Sequence, residues 1–200
     1  MAEVVTRGTG EHEQLADRAV VRVSFAARGA DRAAAVAALG SRVEPVEAVF
    51  AGDGVEVRSR RVDVHTAWER TRRVGCTAQL SVVLRLTRVD VVEGLLQSLV
   101  TAEPESLSGP HWELTDDSGA VAVAQQRAVA DARRRAEGYA AALGARLGPL
   151  QRLSEPEQPH YGGVALAARS AEPGGVVELG LEPTPVTVTV TCTTVWTLLD

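Results

Sequence analysis

Residues Ala120–Gly148 read AVAVAQQRAVADARRRAEGYAAALGARLG, and the spacing within them organises the rest of the chain. Ala124, Ala128, Ala132, Ala136, Tyr139 and Leu143 recur three or four residues apart, as one buried helix face requires. Arg127, Asp131, Arg134, Arg135 and Glu137 fall mostly outside that stripe, where water can reach them. Asp116, Asp117 and Ser118 offer cap oxygens and negative charge to the helix start, and Gly144 suits a left-handed C-terminal cap. A stripe made mainly of alanine lets a helix approach a sheet closely. Such a face fits a packing partner better than a pocket.

Strands to pack against are legible on both sides. Pro185–Leu198 alternates, with Val186, Val188, Val190, Cys192, Trp196 and Leu198 on one face and Thr187, Thr189, Thr191, Thr193 and Thr197 on the other. Val4–Gly10 predicts a short first strand, Asp17–Ala27 a second, and Pro149–Glu155 a return strand. Asp31–Phe50 predicts a helix burying Val36, Leu39, Val43, Val46 or Glu47, and Phe50, kinked or broken near Val43–Pro45 because an interior proline lacks a backbone donor. Val55–Trp68 changes its inward parity, which predicts a β-bulge near Ser59–Arg61. A turn at Glu69–Thr71 leads into Arg72–Thr87, where Leu80, Val82, Leu84 and Leu86 alternate. Arg88–Thr101 predicts an amphipathic helix, and Glu105–Leu114 a strand interrupted by Gly109-Pro110. Pro156–Pro185, rich in proline, glycine and alanine, predicts a flexible loop.

Three stretches together resemble one known family. Val5–Glu11 reads VTRGTGE and is followed by ADRAVVRV at Ala16–Val23. Asp131–Glu137 reads DARRRAE and is followed by LGARLG at Leu143–Gly148 and by Leu153-Ser154-Glu155. An EPG segment, Glu172–Gly174, precedes the Val/Thr-rich terminal strand. These resemble, in order, motifs of SIMPL-domain proteins, a bacterial family that includes immunogenic periplasmic and outer-membrane-associated members. Arg135 stands where that pattern usually has lysine, and Cys76 replaces an aromatic residue. The resemblance implies an α+β fold, an antiparallel β-sheet with helices packed on it, as one SIMPL-like domain over 1–200. It carries no catalytic motif to transfer, and it implies oligomer formation among the family's described properties.

Composition narrows the function classes. The chain has 200 residues, 45% hydrophobic and 24% charged, enough for a sizeable core. All 21 basic residues are arginine, which reads as coding bias and not as a site. A net charge of −5 argues against a general nucleic-acid binder. No run approaches the ~18–20 apolar residues of a membrane helix. Charged residues throughout positions 1–20 leave no signal-peptide core, so the expected location is cytoplasmic unless the chain has been trimmed. Cys76 and Cys192 are read as two buried free thiols, with one disulfide as the alternative.

No candidate chemistry assembles from motifs. His12, His65, His111 and His160 are scattered without metal-ligand spacing, so no metal and no cofactor is expected. Cys76 beside Arg72 and Arg73 could be an activated thiol, yet a small core residue is the commoner role. Arg58, Arg60, Arg61, Arg70, Arg72 and Arg73 cluster around one hairpin and are the candidate interaction residues, for an acidic protein surface or an anion. The expected function is thus a non-enzymatic, self-associating assembly or interaction module, a homo-oligomer. The competing expectation is a small-ligand binder or enzyme with a polar pocket near Asp63, His65 and the arginine hairpin.

Overall fold

Alternation of apolar and polar residues produces two antiparallel sheets in the computed structural model, which describes residues 2–155, 160–161 and 181–200. In chain order the elements are β1 (Glu3–Leu15), β2 (Arg18–Gly29), α1 (Arg32–Phe50), β3 (Val55–Glu69), β4 (Arg72–Leu86), α2 (Val92–Thr101), β5 (Ser106–Glu113), α3 (Ser118–Ala142), β6 (Arg146–Ser154), β7 (His160–Tyr161) and β8 (Pro185–Leu199). The class is α+β, with helices packed on antiparallel sheets, as expected. The chain divides into two compact units: Met1–Leu15, Leu114–Ala171 and Pro185–Asp200 form the first, and Ala16–Glu113 with Glu172–Thr184 form the second. The expected flexible loop at 156–185 lies mostly outside the described residues; within it, β7 pairs with β8 at Thr189 and Val188.

In the second unit the strand order is β3-β4-β2-β5. Ala19, Val21, Val23 and Phe25 of β2 join Leu80, Val82, Leu84 and Leu86 of β4 in one buried cluster with α1 and α2. Asp31 caps α1 by accepting from the Ala34 amide at 2.8 Å. The helix buries Ala35, Leu39, Val43, Val46 and Phe50. Val36, expected inside, is 46% exposed, because Ala35 takes the inward position in the first turn. The helix also runs unbroken through Pro45, correcting the expected break. Val43 and Val46, buried on either side, keep the helix seated despite the missing donor. A 3₁₀ turn at Val89–Val91 precedes α2, whose Val92, Leu95, Leu96 and Leu99 are buried.

In the first unit β8 lies between β1 and β6. β1 does not stop at the glycines as expected; it pairs with β8 from Glu3↔Thr197 to Leu15↔Pro185. β6 begins before Pro149, and its register shifts between Leu147 and Leu150 and again between Leu150 and Arg152. α3 buries Ala120, Ala124, Ala128, Asp131, Ala132, Ala136 and Ala140. Tyr139 and Leu143, expected in the stripe, are 59% and 70% exposed, since the buried row advances in steps of four and takes Ala140 instead. Asp131, expected in water, is only 8% exposed. Gly144 ends the helix at φ +70°, with Ala145 N–H donating to Ala140 and Gly144 N–H to Ala141, a Schellman cap.

Candidate functional site

Two of the stretches that carry the family resemblance, Val5–Glu11 and Asp131–Glu137, meet in the first unit, where α3 lies on β1. Thr6, Gly8 and Gly10 alternate along β1 on the face toward the helix. A Cβ built on Gly8 would stand 2.0 Å from the Ala128 carbonyl oxygen, and one on Gly10 would stand 2.1 Å from that of Ala124. Two strand residues advance about 6.8 Å, and four helical residues about 6 Å. The alanine row therefore meets the Thr-x-Gly-x-Gly row step for step. Glycine is needed there for close approach, not for turn conformation.

A buried hydroxyl chain pins the same contact. The Thr6 hydroxyl donates to the Ala132 carbonyl at 2.8 Å and lies 3.0 Å from the Thr194 hydroxyl, which also accepts from Trp196 Nε1 at 2.8 Å. Cys192 is buried in the same core. Burial pushes its thiol pKa up, away from the thiolate that nucleophilic chemistry requires. Cys76 and Cys192 are both buried and are not joined in a disulfide, as expected.

Asp131 seals the flank of this contact. The Ala2 carbonyl accepts from Leu198 N–H, so even-numbered residues of β1 bond to β8 and odd-numbered ones direct their backbone groups outward. The Thr9 N–H, on that outer edge, donates to Asp131 Oδ2 at 3.2 Å. The Glu11 carbonyl on the same edge accepts from Arg127. Arg135 Nε donates to Asp131 Oδ2 at 2.9 Å, and Arg134 donates to Oδ1. The Thr9 amide, aided by the attraction of Arg135 and Arg134, lowers the Asp131 pKa below the ordinary carboxylate value, against the opposing effect of burial. An open cleft lined by Thr9, Gly10, Glu11, Arg127, Ala130, Asp131, Arg134 and Arg135 lies over this edge. Its arginines are already engaged, two by Asp131 and one by the strand carbonyl.

A lowered carboxyl pKa contributes stability that is present above the unfolded value, about 3.9, and lost as pH falls through the folded one. Asp131→Asn is expected to lower the melting temperature at neutral pH. The gap from wild type should narrow as the pH falls below about 4. A gap that stays constant across that range, followed by circular dichroism, would show that the Asp131 charge does not stabilise the fold.

The arginine hairpin belongs to the second unit. β3 and β4 are joined by the two-residue loop Arg70-Thr71, with Arg70 at φ +55°. The expected bulge is at Arg58, one residue before Ser59–Arg61, and a second register shift follows Ala67. Arg58, Arg61, Arg70 and Arg72 are exposed, and of Arg73 only the backbone is described. Arg60 is held by Glu47 of α1, with Nη1 to Oε2 at 3.0 Å, and Arg61 Nε lies 3.0 Å from Asp63 Oδ2. The arginines are thus partly neutralised within their own unit. Asp63 and His65 share an exposed strand face. Among those residues no group of three or more His, Cys, Asp or Glu could hold a metal ion.

The sequence matches the family SIMPL, described as a protein of unknown function (DUF541), over residues 4–196. The chain belongs to the SIMPL family. Comparison with the curated proteins gives no match. In this SIMPL protein the VTRGTGE and DARRRAE motifs are two halves of one helix-on-strand contact. Sequence reading missed the partnership of Asp131 with Thr9; the available signal was an aspartate beside the alanine row with arginines three and four residues on. No helix among the described residues is long and apolar enough to cross a membrane.

Proposed function

We propose that this SIMPL-family chain is a non-enzymatic assembly module that self-associates through its β3–β4 hairpin. The observation that carries this reading is the outer edge of β3. That strand has 15 residues, ends its sheet, and has no strand partner on its outer side among the described residues. It also exposes Val57, Val62 and Trp68. A long edge with unpaired backbone groups and exposed apolar side chains is a template for another chain. The VTRGTGE and DARRRAE motifs are engaged in packing α3 on β1, and Asp63 and His65 lie on an exposed strand face, which favours this reading over an enzyme or ligand binder at Asp63 and His65.

Light scattering over a range of protein concentrations tests the proposal. A molar mass above the 21.1 kDa of one chain is expected at low salt. It should fall as salt is added, because charges more than ~8–10 Å apart are screened at physiological ionic strength. Arg70, Arg72 and Arg73 changed together to Glu should weaken the assembly with an unchanged far-UV spectrum. A monomer at high concentration and low salt would overturn the proposal.

A further inference from the structure

The edges of β1, β3, β5 and β6 are not equally open. On β1, Asp131 and Arg127 occupy the outward amide of Thr9 and the outward carbonyl of Glu11. β5 has eight residues, a register shift and Pro110, and β6 has nine, two register shifts and Pro149. Proline, short strands and irregular register all discourage edge pairing. β3 is the longest of the four and contains no proline.

Its backbone parity follows from β4. Thr87 N–H donates to the Gly54 carbonyl, so odd-numbered residues of β4 bond to β3. Beyond the bulge these are paired with Ser59, Arg61, Asp63 and His65. Arg60, Val62, Val64 and Thr66 therefore direct their backbone groups outward. A second β3 running antiparallel can pair with them only in registers that set even residues opposite even residues. Centred on Arg61 or Asp63, such a register places like charges face to face. Centred on Val62, it places Arg61 opposite the Asp63 of the second copy, twice over, at non-hydrogen-bonded positions where side chains approach most closely. The two side chains are 76% and 51% exposed and pair with each other within one chain. Two such pairs would form an alternating quartet. The same register carries the Arg70 tip toward the start of the other β3, where Asp53 and Glu56 are exposed.

We infer that two copies of the chain join by antiparallel β3–β3 addition about a two-fold axis at Val62, selected by reciprocal Arg61–Asp63 pairing. This rests on the proposed self-association and specifies its edge and register. The test uses Arg61→Asp and Asp63→Arg in the full chain, followed by light scattering and by disulfide trapping of Val62→Cys. Each charge variant alone should dimerise roughly tenfold or more weakly than wild type, because like charges then face each other. Mixed one to one, the two variants should form a heterodimer, since one supplies two acids and the other two arginines. Val62→Cys should give a disulfide-linked dimer on oxidation, and Val100→Cys on α2 should not. If wild type associates but the charge variants associate equally well, or Val62→Cys does not cross-link, this edge and register are wrong while self-association stands. If wild type is monomeric, both fall.

Discussion

Gly8→Ala is expected to destabilise the chain by about 3 kcal/mol, the upper end of the overpacking range. The new Cβ would lie 2.0 Å from the Ala128 oxygen and 2.5 Å from the Ala132 nitrogen. Both are backbone atoms of α3, so no rotamer change relieves the clash and the helix must lift from β1. Ala128→Leu and Ala132→Leu press on the same contact from the helix side and should each cost about 1–3 kcal/mol. Gly138→Ala supplies the control: nothing lies within 4 Å of a Cβ there. Alanine is favoured over glycine inside a helix, by up to about 1 kcal/mol. Urea unfolding separates the cases. A Gly8→Ala midpoint equal to that of wild type would mean that α3 is not seated on β1.

Phe25→Ala is expected to cost about 3–5 kcal/mol, from lost burial together with the cavity left behind. Phe25 is fully buried, stands opposite Leu80 in the β2–β4 register, and belongs to the cluster that includes Leu39 and Leu99. Val36→Ala is the instructive comparison. Helical spacing alone places Val36 in the core, but its exposure should hold the loss to about 0.5 kcal/mol. Equal losses for the two variants, measured by urea unfolding, would contradict the packing of α1.

Much of the architecture was legible in local sequence because each element carries its own period. β8 shows alternation, α2 and α3 show helical spacing, and Asp31 and Gly144 mark helix ends in ways that need no tertiary partner. Where a segment's neighbours decide, the local pattern misled. Pro45 looked like a breaker, yet the buried Val43 and Val46 on either side hold the helix on the sheet. Gly8 and Gly10 looked like the end of a short strand; they lie within a longer one, without side chains because a helix backbone occupies that space.

At the hairpin, the sequence by itself identified two long strands, a bulge and a run of arginines. It could not say that β3 ends its sheet, that Glu47 holds Arg60, or which backbone groups point outward. At the helix, it determined an alanine row, a cap and the family to which the chain belongs. Only the tertiary structure decided that Asp131 turns from solvent to the Thr9 amide and that Arg127 reaches the Glu11 carbonyl. The reason is physical: periodicity records which face of an element is buried, whereas edge position and hydrogen-bond partners depend on other segments, which for Thr9–Asp131 and Glu11–Arg127 lie 122 and 116 residues away in the chain.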